Sequence, residues 1–579
     1  MSYLNSPRLT FSGKFQADPS TVNNDPTHFN NATFDPSFQD YQTADALNGW
    51  WNPDGTGNWR FIGCTITSVT YQDGTSTNDP LLDPIIGMSI MDTDSRTAAK
   101  IVDLDSQQQM VSELWGLIVR IVSNDGTTLM KGDYEVAAFT NIWFGRSVDL
   151  SADSAAAASY QSIIKNIKWD TGISNSRYIN ELKAASADQL SIQFTLDRYN
   201  DAFTNSEFTI GRIAGSIGPS NKTEPKHFVI GRQLFPQPIS PNPPSWNAQN
   251  CNFSVAVVDE KLKQLVLDFG NALQFTFGGD IAEKRDLHIA INTGTADVPA
   301  YTEIGKIDYS DPNWYMSTSG ICTFDLTDEQ LSLVQQFPLV ILQFAVVPTD
   351  VFTLPALSKQ VIYYESVEYA SADQFVFRLD ADEKCSIDFY TTKFGKGYAK
   401  TIQFQDDTAN FLGPTPPVVG VPAIPFFSGK KLAEITTDSN GKGTLKFTAP
   451  DPGNPRVYID GQVYAISYNL SNQSFATDCN QSNFISLQIY SGPSATAVVP
   501  DWDNFIQPIM QQYANLYPLM SKGIFNLADK AVVDANAAIL QLVFSKDPAD
   551  SNYMPATRDL SKYRRKIILN YLQEIIDKG

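Results

Sequence analysis

Along most of the chain apolar and polar residues alternate with a period of two, the pattern of strands that bury one face. Residues 59–71 (WRFIGCTITSVTY) and 190–196 (LSIQFTL) show it plainly, and Asp-Gly and Gly-rich turns separate such runs as in hairpins and meanders. A second series follows between 252 and about 404, with VAVV, KQLVLDF, LVILQFAVV, QVIYYESVEY, QFVFRL and SIDFYTT. Between 430 and 469 the turns Asn440-Gly441 and Asp460-Gly461 join further alternating runs, which fit a small immunoglobulin-like sandwich.

Two regions depart from this period. After Ser154, a candidate N-cap, the run AAAASYQSIIKNIKW sets Tyr160, Ile163, Ile164 and Ile167 on one helical face. A helix is predicted there, with a shorter one at about 177–185, the pair lying on the sheet as a lid or plug. From Asp501 the period becomes about 3.6. One helix is predicted over about 528–544, presenting Val532, Asn536, Ile539, Val543 and Phe544. Another, capped by Ser561, carries a stripe of Tyr563, Ile567, Ile568, Tyr571, Leu572, Ile575 and Ile576. Pro508, Pro518 and Pro555 mark breaks between short helices.

Proline also punctuates the β-rich part, at 235–246 (FPQPISPNPPSW) and 411–425 (FLGPTPPVVGVPAIP). Proline cannot donate to a β ladder, so these runs read as linkers or edge segments. The chain has 579 residues, and single cores stop growing at about 250–300. The expected class is therefore mainly β, with tandem β-sandwich or barrel domains, a small immunoglobulin-like sandwich and a C-terminal short helical bundle. The expected boundaries are a β domain with inserted helices at 1–235, a linker at 236–250 and a second β domain at 251–410. A linker at 411–425, the sandwich at 426–498 and the helical module at 499–579 complete the series.

Charge narrows the partners. With 42 Lys+Arg against 63 Asp+Glu the formal charge is -21, which repels nucleic acid and anionic lipid. No apolar run reaches a membrane span, and the start MSYLNSPRLTFSGKFQ has neither the basic nor the apolar part of a leader. A cytoplasmic location without membrane partners is expected. The five cysteines, Cys64, Cys251, Cys322, Cys385 and Cys479, stand singly and read as buried thiols. The N-x-S/T sequences at Asn31, Asn221, Asn252, Asn469, Asn472 and Asn480 are discounted in that compartment.

Candidate chemistry is sparse. Only three histidines occur, His28, His227 and His288. Glu224-Pro-Lys-His227 spells E-x-x-H, but the spacing gives two metal ligands only on a helix with a second copy, and no metal site is expected. Glycine-rich GRIAGSIGP, 211–219, lacks dinucleotide-binding spacing and reads as a strand with tight turns. Asp103 and Asp105 stand two apart. On a strand they share a face and could shift each other's pKa as acid and base; in a turn each would bond nearby amides. Asp308 and Asp311 offer the same two readings. Trp50 and Trp51, in ALNGWWNPDGTGNWRF, and Trp314-Tyr315, after Asp311-Pro-Asn, are loop aromatics that either stack on a ligand or anchor their loops. A haem or other cofactor is neither indicated nor excluded, since His, Cys, Met or Tyr can each be an axial ligand and nothing singles one out.

Several segments together resemble one family. Pro7-Arg-Leu-Thr-Phe-Ser-Gly13 with STVNNDP, then Asn48-Gly49 with 55–61, then Val102-Asp103 and Asp105 before Leu114-Trp-Gly116, occur in order. LSIQFTL, Gly215, Gly218, Gly231-Arg232, Leu234, Tyr309, Trp314 and Gly320-Ile321 continue the series. Over about residues 1–400 the chain is similar to the N-terminal, non-ferritin-like half of the iminophenylpyruvate dimer synthases of violacein- and rebeccamycin-type bisindole biosynthesis. The resemblance implies secondary metabolism, with a small aromatic metabolite as ligand and an amino-acid oxidase or other protein as partner. If the protein is an enzyme, it implies oxidative carbon–carbon coupling of amino-acid-derived imines. The family's ferritin-like region is not expected after Phe404, where a sandwich and small bundle are predicted. Candidate catalytic residues are Asp103, Asp105, His227 and Arg232; candidate ligand-binding residues are Trp50, Trp51, Trp314 and Tyr315. The alternative is a non-enzymatic β module that binds a ligand or protein, with the helical tail for docking. There Arg558 either meets a partner's carboxylate or, with Asp559, fixes its own loop.

Overall fold

The computed structural model describes residues 2–41, 50–94, 97–170, 175–186, 188–238, 250–295, 298–347, 356–411, 422–427, 433–453, 456, 458–473, 483–492, 501–517 and 524–578. Most of both proline-rich stretches, and the Asn48-Gly49 pair, lie outside these residues. The architecture is mainly β, as the alternating pattern predicts, with several sheets and a short helical C-terminal part.

The first sheet closes on itself. The strand Arg8–Asp18 pairs on one side with Ile210–Pro219 and on the other with Asn58–Thr70. The circuit continues through Leu190–Asp197, Ala157–Trp169, Thr128–Tyr134, Ile118–Val122 and Ser89–Met91. Every pairing in it is antiparallel, and closure removes the exposed edges of an open sheet. Phe11, Trp59, Phe61, Tyr160 and Phe194 are buried together in its core. Gly215 is needed there, because a Cβ would lie 2.5 Å from the Gln193 carbonyl oxygen and 2.6 Å from the Phe11 ring. The glycine-rich run is thus a strand, as its spacing indicates.

The helix predicted after Ser154 is a strand. Only Ala152–Ala155 is helical, and Ala157–Trp169 pairs over its first eight residues with Leu190–Asp197. β-branched Ile163, Ile164 and Ile167 suit a pleated surface, and two neighbouring strands outweigh the alanine run. The second predicted helix is present at Arg177–Ala185 and buries Tyr178, Ile179 and Leu182 in the barrel core. A hairpin, Ala99–Asp105 with Gln108–Trp115, leaves the barrel where Asn58 and Trp59 pair with Lys100 and Ala99.

A second antiparallel sheet of eight strands runs from Arg232–Pro236 to Ala356–Ser366. Beyond it two sheets share one core, in which Phe389 faces Phe404 and Tyr468 edge-on. Their pairing crosses the second proline-rich stretch: Lys384–Lys393 pairs with Lys442–Thr448, and Val376–Asp380 runs parallel to Phe484–Tyr490.

In the tail, the helix predicted over 528–544 is two, Lys530–Ala535 and Ala537–Ser545. At the joint the Asn536 amide donates to both Val532 and Val533 carbonyls. Ser561 does cap the last helix, Lys562–Lys578, accepting from the Arg564 amide at 3.2 Å. The helices share a core with Val22, Phe29 and Ile459, so this module is packed against the start of the chain. Asn31 donates to the Pro508 carbonyl at 2.8 Å and Gln39 to that of Asn515 at 2.9 Å. Among the described residues no helix is long and apolar enough to cross a membrane.

Candidate functional site

The hairpin, the start of the chain and the tail module, through Tyr517 and the loop holding Asp559, line a cavity of about 260 Å³. Asp103 and Asp105 stand at its wall, and a bulge between them breaks the register, so the two carboxylates have separate surroundings. Asp105 is clamped. Arg456 donates to both its oxygens, at 2.9 and 2.7 Å, and the Gln107 amide adds a turn bond at 2.9 Å. Burial alone would raise the Asp105 pKa, but the Arg456 charge and these hydrogen bonds more than offset it and hold it below the usual range.

Asp103 differs. Ser112, its cross-strand partner, donates to it at 2.5 Å, and among the described residues no cation lies within ion-pair distance of its carboxyl. Arg378 reaches only its backbone carbonyl, at 2.9 Å, and pairs its charge with Glu113. Burial pushes the Asp103 carboxyl up to about 7; Ser112 and Arg378 pull against it, while Asp153 and Asp105 repel it further upward. Adjacent carboxylates pushed in opposite directions are the arrangement from which acid and base roles are built. Here only Asp103 keeps an uncommitted oxygen.

The remaining wall is aromatic and polar. Trp51, Phe29, Phe139, Phe144 and Tyr517 line it, with Lys100, whose ammonium is anchored by Asn58 Oδ1 at 2.6 Å and the Thr56 carbonyl at 3.1 Å. Asp559 joins from the tail; burial raises its pKa, while Thr557 and Tyr513 hydrogen bonds lower it. Lys100 and Ser112 were not singled out by the sequence, and Asp559 only as a loop-fixing partner of Arg558. Lys100 and Ser112 are ordinary strand residues, and Asp559 is brought in from over 450 positions away by the tail packing.

The other candidates lie elsewhere. Arg232 is buried at 2% exposure, where it pairs with Glu365 and donates to the Val334 and Phe337 carbonyls at 2.7 and 2.9 Å. That is a structural clasp, remote from the hairpin. Trp314 and Tyr315 are not loop aromatics open to a ligand: the short helix Trp314–Thr318 buries both in the second sheet's core. Tyr315 lies under the guanidinium groups of Arg146 and Arg212. Trp50 stands edge-on to His28, 4.9 Å between centroids. Asp308 and Asp311 accept the amides of Ser310 and Asn313, the turn reading. Arg558 is 3% exposed and donates to the Pro548, Asp550 and Ala556 carbonyls, fixing its own loop rather than meeting a partner. His227 lines a different cavity, and among the described residues no group of three or more His, Cys, Asp or Glu could hold a metal ion.

Fold and site thus define a mainly β, multi-sheet protein with an acidic, aromatic-walled cavity roofed by the tail module. The chain is 26% identical to dichlorochromopyrrolate synthase of Lentzea aerocolonigenes over 223 residues, covering 34% of this chain and 21% of that one. It is 26% identical to 2-imino-3-(indol-3-yl)propanoate dimerase of Chromobacterium violaceum over 157 residues, covering 27% of this chain and 14% of the relative. The matches span at most 21% of these relatives' lengths and only part of this chain, which supports a relationship to secondary-metabolic enzymes at that level. No protein-family model matches.

Proposed function

We propose that this protein binds an aromatic amino-acid-derived imine or amine in the Asp103 cavity, serving a secondary-metabolic pathway. The observation that carries the reading is the Asp103 carboxyl itself: half-buried at the cavity wall, without an ion-pair partner among the described residues, and set among aromatic side chains. Such a carboxyl is complementary to a ligand nitrogen that is positive or can be protonated. Trp51, Phe139 and Phe144 supply the ring contacts, each worth about 0.5–1.5 kcal/mol beyond area burial. Lys100 supplies positive charge on the same wall for a ligand carboxylate. The name of the second relative specifies an indolyl imino acid, and this supports the same ligand class here. An α-imino acid arises by two-electron oxidation of an amino acid, so an amino-acid oxidase is placed upstream. Oxidative coupling of two such imines, in which their enamine tautomers form one carbon–carbon bond and lose two electrons and two protons to an external oxidant such as dioxygen or peroxide, is the reaction we assign to this pathway step, with this chain holding the imine for it.

The test is calorimetric titration with tryptamine. Asp103→Asn should weaken binding about 10- to 100-fold, the worth of a charge-assisted hydrogen bond. In the wild type, affinity should rise from pH 6 to pH 8, because below about 7 the amine must displace a proton from Asp103. Unchanged tryptamine affinity in Asp103→Asn would remove the reading.

A further inference from the structure

A second cavity, of about 160 Å³, lies beside the first, and Met110, Phe139 and Ile142 line both. Its far side carries His227. The imidazole Nε2 is 3.1 Å from the Val136 carbonyl, which can only accept, so Nε2 holds the proton of that bond. Nδ1 has no hydrogen-bond partner among the described residues, with Asp373 Oδ1 standing 3.5 Å away. That oxygen already accepts the Lys226 and His227 amides at 2.7 and 3.0 Å. The side chain is 9% exposed, so solvent does little for Nδ1. A buried acceptor left without a donor is unfavourable, and a ligand that supplies one gains accordingly.

We infer that the His227 cavity is a second ligand subsite, continuous with the Asp103 cavity past Met110, which takes one small uncharged aromatic group bearing an N–H or O–H donor, an indole or a phenol. The size fits one such small aromatic group rather than two, since a cavity of about 150 Å³ accommodates benzene. Phe228, Phe235 and Tyr369 offer ring faces and edges, and no lysine or arginine lines the cavity among the described residues, which disfavours an anion. A cation has no more reason to enter. Asp268 is bonded on both oxygens, by the Tyr3 hydroxyl at 2.6 Å and the Gly270 amide at 2.8 Å; Asp373 takes two amides on Oδ1 and has His227 beside it, which hold its pKa below the usual range although burial raises it, the opposite of Asp103. Met110, 46% exposed and conformationally adaptable, is the side chain through which a ring would pass from one cavity to the other.

The inference stands apart from the amine reading of Asp103, and the probes keep the two separate. Indole and 1-methylindole differ in the N–H donor, so the wild type should bind 1-methylindole about tenfold more weakly. His227→Phe should abolish that preference, and His227→Gln, which can both donate to Val136 and accept from a ligand, should retain part of it. Because the ligand pair is compared in the unaltered protein, a variant that folds poorly does not spoil the test. Equal affinity for the two indoles in the wild type would overturn the inference and leave Nδ1 to Asp373. Tryptamine titrated into the same protein reports on Asp103 independently: normal amine binding with no indole preference removes only the His227 subsite.

Discussion

Arg232–Glu365, fully buried, and Asp103, half-buried, are both ionisable sites drawn out of bulk solvent, and they are opposites. Glu365 receives the Arg232 guanidinium on both oxygens and the Leu339 amide at 2.7 Å, and Arg232 spends its other donors on the Val334 and Phe337 carbonyls. Asp103 has one hydroxyl and a cavity. A charge whose partners are complete belongs to the fold, whereas one left incomplete beside open space can serve a ligand. The largest effect is expected where completeness is broken. Arg232→Ala should destabilise the protein by about 3–5 kcal/mol, measured by urea denaturation, because an unpaired carboxylate is left buried. Burial already pushes Glu365 upward against the pull of Arg232, so it should take up a proton in the variant. Replacing both partners, Arg232→Met with Glu365→Leu, should recover most of the loss. A loss below about 1 kcal/mol in Arg232→Ala would erase the distinction between the two sites.

Asp105 lies between these extremes, two residues from Asp103 but clamped like Glu365. Arg456→Ala should cost about 2–4 kcal/mol, since it removes a bidentate pair and the bond from Arg456 Nε to the Gly461 carbonyl. Hydrogen exchange should then quicken in the hairpin 99–115, which Arg456 ties to the sandwich. If exchange there is unchanged while global stability falls, the clamp holds the sandwich alone.

This gradation explains how far the sequence could be read. Strands and the mainly β class follow from alternation, which is local. The helix predicted after Ser154 fails because its alanines favour helix locally while two flanking strands claim Ala157–Trp169, a non-local effect. The spacing of Asp103 and Asp105 was visible, and so was Trp51. The bulge that separates the carboxylates is a local irregularity that alternation does not reveal, and the arrival of Arg456 at one of them and the roof supplied by Tyr517 and Asp559 depend on contacts hundreds of residues apart. Trp314 misled for the complementary reason: a loop-like sequence context says nothing about the core into which the segment folds.

The smallest effect separates Asp103 from Glu365 most directly, because its sign is reversed. In the unfolded chain an aspartate ionises near its ordinary value of about 3.9, whereas in the fold burial holds Asp103 protonated up to about 7. Between these values the folded state binds more protons than the unfolded one, so stability falls as pH rises and the penalty is complete above about 7. The rise in pKa sets an upper limit of about 4 kcal/mol, which solvent in the cavity reduces to about 1–2 kcal/mol. A carboxamide in place of the Asp103 carboxyl would accept the Ser112 hydroxyl without ionising. Asp103→Asn should therefore be more stable than the wild type by about 1–2 kcal/mol at pH 8 and no more stable at pH 4.5, by urea denaturation at the two values. Gain of stability with loss of tryptamine binding marks a group kept for a ligand at a cost to the fold. Destabilisation at both pH values would instead make Asp103 a structural carboxylate, complete in the way that Glu365 is.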